Sequence, residues 1–147
     1  MKCSILMAFN DSSSASSALE YMARIFTCPE DCTVTLLHLL RKPTGSEELM
    51  GKKYMQNVPG RMKQVMETAR QKLLGAGFRP ERITLRLVET PYATLAEGII
   101  DQFAQGDYNL VVIGRKRMSK AEEFVLGDTS IRLVRALEGT AVMVVKE

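Results

Sequence analysis

Residues 109–114 read Asn-Leu-Val-Val-Ile-Gly, and residues 3–9 read Cys-Ser-Ile-Leu-Met-Ala-Phe. Each is a short, almost unbroken apolar run closed by a glycine or by a polar turn. A strand with one wet face alternates apolar and polar residues, whereas a strand covered on both faces has no reason to. The two runs therefore read as the central strands of a parallel sheet with helices on both sides. Residues 82–88, Arg-Ile-Thr-Leu-Arg-Leu-Val, behave differently. Ile83, Leu85 and Leu87 share one face and Thr84 and Arg86 the other, the pattern of an edge strand. Residues 33–40 (TVTLLHLL) and 140–145 (TAVMVV) supply two more strands.

Helical periodicity fills the gaps between them. Ala15, Ala18, Leu19, Met22, Ala23 and Phe26 follow the polar turn Asn10–Ser14, which is rich in N-cap residues, and Pro29 lies just beyond. Met62, Val65, Met66, Ala69 and Leu73 trace a second stripe closed by Gly75 and Gly77. Leu95, Ala96, Ile99, Ile100 and Phe103 form a third, and Ile131, Val134 and Leu137 a fourth that ends at Gly139. Residues 41–59, with proline, two glycines and no clear period, read as a long loop. The order βαβαβαβαβ defines a single-domain α/β fold over residues 1–147, with a Rossmann-like parallel sheet. Strand order 3-2-1-4-5 puts the two unbroken runs in the middle and the alternating one at an edge. The last strand then forms the other edge. It lacks the charge or proline that usually guards an edge, so pairing of two copies along Ala141, Val142, Met143, Val144 and Val145 is expected.

A chain of 147 residues can bury roughly 68–70% of the surface it exposes when unfolded, enough for a core without disulfides or metal. Charged residues are 25% of the chain and mixed in sign, which excludes a polyelectrolyte tail. No apolar run approaches the ~20 residues of a membrane span, and the N-terminal stretch reads as a strand rather than a signal peptide. Three cysteines in such a chain suggest reduced thiols and a cytoplasmic setting. Cys28 and Cys32 stand four apart without a second ligand pair, so no metal site is expected there. With one histidine, His38, and no nucleophile–base pair at readable spacing, no catalytic residue is assigned.

The net charge of +3 is mild, but its location is informative. In an open α/β sheet, ligands settle outside the carboxyl ends of the strands, where the strand order reverses. Here that point lies between strands 1 and 4, flanked by Asn10–Ser14 and by the loop from Gly114. The second loop carries Arg115, Lys116, Arg117 and Lys120, then Gly127, Asp128, Thr129 and Ser130 at a helix start. Free backbone N–H groups and the helix dipole favour an anion at such a place. Glu122 and Glu123 follow at once, so a nucleic-acid face is not expected.

The runs ILMAFND-S, TLLHLL, NLVVIG-RKR, VLGDTS and AVMVV together resemble the universal stress protein family over nearly the whole chain. The resemblance implies a five-stranded parallel sheet, a homodimer through the last strand and, in many members, ATP with Mg. The family's phosphate motif is Gly, two residues, Gly, nine residues, Gly, then Ser or Thr. Its spacing is kept here as Gly114, Arg117, Gly127 and Asp128, but Arg117 and Asp128 depart from the expected residue types. By the same resemblance, Asn10, Asp11 and Ser12 stand at the adenine and ribose end, and Leu39 offers backbone to the adenine. Asp128 is a good N-cap that would use the N–H groups a phosphate needs. Two departures of opposite charge in one motif predict an Arg117–Asp128 ion pair partly filling the phosphate pocket. The sequence thus yields two functions: an ATP-type stress protein with at most slow hydrolysis, or a family dimer that acts through protein partners or another small anion.

Overall fold

The computed structural model describes residues 2–41, 52–122 and 128–147. Five strands, β1 (Cys3–Ala8), β2 (Cys32–Arg41), β3 (Ile83–Tyr92), β4 (Leu110–Arg115) and β5 (Ala141–Lys146), form one sheet in the order β3-β2-β1-β4-β5. All neighbouring pairs are parallel. The central position of β1 and β4 and the edge position of β3 follow the apolar patterns of their sequences. β3 runs past the predicted end at Val88 and takes in Pro91. An edge tolerates the missing donor of a proline.

Among the described residues, four α-helices cover the two faces: α1 (Ser13–Ile25), α2 (Lys52–Gly75), α3 (Leu95–Ala104) and α4 (Thr129–Ala136). Ile5, Met7, Val34, Leu36 and Val112 point to the α1/α2 side, where they meet Ala18, Leu19, Met22, Met66, Ala69 and Leu73. Leu6, Leu37, Leu39, Val111 and Ile113 point the other way and pack with Ile99, Leu133 and Leu137 of the α3/α4 side. This alternation of consecutive residues between two cores is why β1 and β4 contain no polar interval. Met62 and Met66 are core residues, as their helical spacing suggests.

One expectation is corrected. Residues 52–59 begin α2 and are not part of a loop, so Pro59 lies inside the helix. Lysine, methionine and glutamine are good helix formers, and a proline removes one backbone donor without stopping a helix of this length. The remainder of the expected loop, residues 42–51 with Met50, lies outside the described residues.

Gly114 shows how tightly the layers meet. A Cβ built on it would stand 2.1 Å from the Ser14 carbonyl oxygen in the first turn of α1. Only glycine lets that turn lie on β4. Gly60, in α2, has nothing within 4 Å of a built Cβ. Urea unfolding should separate the two: Gly114→Ala destabilises at the upper end of about 1–3 kcal/mol, because backbone must move. Gly60→Ala stabilises by up to about 1 kcal/mol through helix propensity.

Candidate functional site

The carboxyl ends of β1 and β4 are adjacent, and two segments leave them. After β1, the Asn10 carboxamide oxygen accepts from the Ser12 N–H at 3.0 Å, folding the chain into a side-chain-closed turn. The Ser12 hydroxyl oxygen then caps α1 by accepting from Ala15 N–H at 3.1 Å. Asp11 is exposed and forms an ion pair with Arg61 of α2. His38 Nδ1 lies 3.1 Å from the Phe9 carbonyl, tying the end of β2 to the end of β1. Leu39 is buried, and its side chain packs towards Gly98 of α3, so what it offers a crevice is backbone.

β4 ends on Gly114 and Arg115, Ser119 then bonds Glu122, and the chain enters α4 at Asp128. Asp128 is the N-cap of α4. Its Oδ1 accepts from Ser130 N–H at 2.9 Å, from Ile131 N–H at 3.4 Å and from the Ser130 hydroxyl. Its Oδ2 lies 2.7 Å from an Arg115 guanidinium nitrogen, and the Asp128 side chain is only 7% exposed. The expected ion pair therefore exists with a different partner. Arg115, at the end of β4 and directly beside the α4 start, holds Asp128, while Arg117 is exposed two residues further on. A strand residue is fixed by its ladder, with Arg115 paired to Lys146 of β5, and so is pre-positioned for the pair. A loop residue is not.

The environment of Asp128 sets its charge. Burial by itself pushes the carboxyl up. The Ser130 hydroxyl, the Ile131 amide, the Arg115 charge and the Ser130 amide outweigh it and hold the group below its ordinary 3.8. The anion site at the start of α4 thus already contains an anion, the protein's own.

Of the sequence-predicted residues, Asn10, Asp11, Ser12 and Leu39 lie on the β1/β2 side of the crevice, and Gly114, Arg115, Asp128, Thr129 and Ser130 on the β4/α4 side. Gly127 lies outside the described residues. Lys116, Arg117 and Lys120 are exposed and form the basic rim. Arg61 was not legible as a member of this region: it lies 50 residues beyond its partner Asp11, and nothing in the local sequence of α2 marks it. Among the described residues, the groups close enough to share a metal ion are Cys28, Glu30 and Asp31, all exposed and all at the other end of the sheet.

A five-stranded parallel sheet with helices on both faces and its strand order reversing between β1 and β4 defines a doubly wound α/β class. The universal stress protein family model matches residues 3–146, and the chain belongs to that family. Curated protein sequences yield no match. Among solved structures, a universal stress protein in complex with cAMP superimposes with a TM-score of 0.68 at 13% identity, covering 97% of this chain and 95% of that one. An Arabidopsis thaliana family protein with AMP bound gives 0.68 at 16% identity, with 99% and 92% covered. The Archaeoglobus fulgidus universal stress protein in complex with dAMP gives 0.62 at 16% identity, with 99% and 100% covered.

The pH dependence of the Asp128 site follows from its direction of shift. A carboxyl held below its unfolded value stabilises the fold fully above about pH 4, and that contribution is lost as pH falls through the lower folded value. At pH 7, Asp128→Ala should cost about 2 kcal/mol, roughly half from the cap and half from a partly solvated ion pair. Asp128→Asn keeps a capping oxygen and should cost about 1 kcal/mol or less. The gap between wild type and Asp128→Asn should close in denaturant titrations as pH falls through the lowered folded value.

Proposed function

We propose that this chain is a homodimeric universal stress protein whose β1/β4 crevice binds an adenine nucleotide carrying a single phosphate, rather than Mg-ATP. The observation that carries the reading is the state of the α4 N-terminus. Two backbone amides and a hydroxyl, the donors that a polyphosphate would need there, are already used by Asp128. A β- or γ-phosphate brought to this point would meet a buried carboxylate of like charge. A triphosphate does not fit these residues.

The rest of the crevice remains suitable for a nucleoside end. Asn10 offers a carboxamide and the β2 end near Leu39 offers backbone groups, as suits recognition of an adenine or ribose edge. Arg117 and Lys116 at the exposed rim can meet one phosphate without entering the capped site. The nucleotides named with the similar structures, cAMP, AMP and dAMP, are of this size.

For the dimer, the support is the β5 edge. Val142, Met143, Val144 and Val145 are only half-buried, and Ile131 and Val134 on the neighbouring helix are 45% and 62% exposed. A second copy pairing along β5 would cover both groups and remove an unguarded edge. Light scattering should therefore give twice the chain mass, and Val144→Lys should shift it to the monomer. A monomeric wild-type mass would contradict this part.

The ligand assignment is tested by a thermal-shift series. AMP and cyclic AMP should raise the melting temperature, since a ligand that binds only the folded state stabilises it. Mg-ATP at the same concentration should give a clearly smaller shift. Asp128→Ser, which restores a hydroxyl at the phosphate motif, should bring the Mg-ATP shift up to that of AMP. Stronger stabilisation of wild type by Mg-ATP than by AMP would overturn the reading. A flat response to every nucleotide would favour the reading in which the dimer acts through protein partners or another small anion.

A further inference from the structure

Cys3 is far in sequence from Cys28 and Cys32, yet all three line one pocket of about 570 Å³ at the amino ends of β1 and β2, opposite the proposed nucleotide crevice. Cys3 and Cys32 are direct partners in the β1/β2 register. Each is the first residue of its strand, and both side chains lie on the α1/α2 face. The Cys32 thiol donates to the Cys28 carbonyl oxygen at 3.7 Å, which places all three residues at one corner of the pocket. Cys32 is 4% exposed, Cys3 is half-buried, and Cys28 is exposed on the rim. Nothing in the nucleotide crevice or in the dimer edge uses these groups.

We propose that Cys3 and Cys32 are an oxidation site, in which a small hydroperoxide entering this pocket converts the two thiols to a disulfide that staples β1 to β2. The backbone separation permits it. Neighbouring strands run about 4.7–4.9 Å apart, within the roughly 4.4–6.8 Å Cα span that a disulfide bridges. The first residues of two strands also have the most freedom to close the remaining gap, because each is bonded into the ladder on one side only. Residues deeper in the sheet, such as Ile5 and Val34, have no such slack.

The order of events follows from the two environments. Burial, with Cys3, Asp31 and Cys28 close by, pushes the Cys32 thiol up to about 12, so it stays protonated at neutral pH. Cys3, which is less buried, is therefore the sulfur that attacks the peroxide. The O–O bond breaks, Cys3 becomes a sulfenic acid and one water leaves. The Cys32 sulfur then attacks the Cys3 sulfur, its proton leaves with the departing hydroxide, and a second water forms. Two thiols and one hydrogen peroxide give one disulfide and two waters; the sulfurs are oxidised by two electrons in all, and the peroxide is reduced. Cys28, next to the carboxylates of Glu30 and Asp31, is left as a thiol.

Hydrogen peroxide in small excess over the reduced protein tests this. Intact mass spectrometry should show the loss of two hydrogens, thiol titration should fall from three groups to one, and a peptide map without reductant should join the Cys3 and Cys32 peptides. The melting temperature should rise, because the link closes a loop in the unfolded chain, and dithiothreitol should reverse every change. Cys28→Ser should still form the link and Cys3→Ser should not. The peptide map of the wild-type protein decides the matter even where a variant folds poorly. A link that contains Cys28, oxygen added to Cys28 with Cys3 and Cys32 still free, or a disulfide between two chains would overturn the proposal.

Discussion

The contact on which the rest depends is the seating of the first turn of α1 on β4 at Gly114. The Ser14 carbonyl occupies the space that any Cβ at 114 would need. Because β4 lies beside β1 in the centre of the sheet, that contact fixes how the turn after β1 faces the segment after β4. The crevice is the space left between the two. In family terms Gly114 opens the phosphate motif, but its structural duty in this chain is helix–strand packing, and that duty holds whatever the ligand is. Loss of the contact would move both walls of the crevice together.

The second feature is an exchange of one anion for another. A helix N-terminus with free amides attracts a phosphate, and the start of α4 has its amides satisfied internally by Asp128. The carboxylate gains from three donors and from Arg115 more than it loses by burial, which is why it remains ionised. A cap of this kind stabilises the fold and at the same time removes the place for a phosphate chain. Stability and ligand size are linked at one residue, so a substitution that reopens the site should also weaken the protein. Asn10 and Ser12 serve local turn and cap bonds that leave other lone pairs and donors available, so the proposed nucleoside contacts there would carry no such cost.

Much of this was legible in the sequence, for definite physical reasons. The unbroken runs at 3–9 and 109–113 mark strands covered on both faces, and the alternation of 82–88 marks an edge; the strand order 3-2-1-4-5 follows from these patterns. Asp128 was legible as a cap because aspartate before Thr-Ser-Ile is a local signal. Its partner was not. Arg115 and Arg117 are two residues apart, and only the position where β4 ends decides which one reaches α4. Residues 52–59 depart from the expected loop for a related reason: Pro59 is a breaker on a propensity scale, whereas a helix docked by Met62, Met66, Ala69 and Leu73 can carry it. The Asp11–Arg61 pair and the convergence of Cys3 and Cys32 are tertiary, and no local pattern announces either.

The central claim is that the Asp128 carboxylate holds the α4 donors against an incoming phosphate. It is tested most directly by following backbone amide resonances during nucleotide titration. On adding AMP, the amides of Asn10, Ser12 and Gly114 should shift while those of Ser130 and Ile131 stay in place. If Ser130 and Ile131 instead move first and most, and move further with Mg-ATP than with AMP, then the carboxylate yields to phosphate and the account is contradicted.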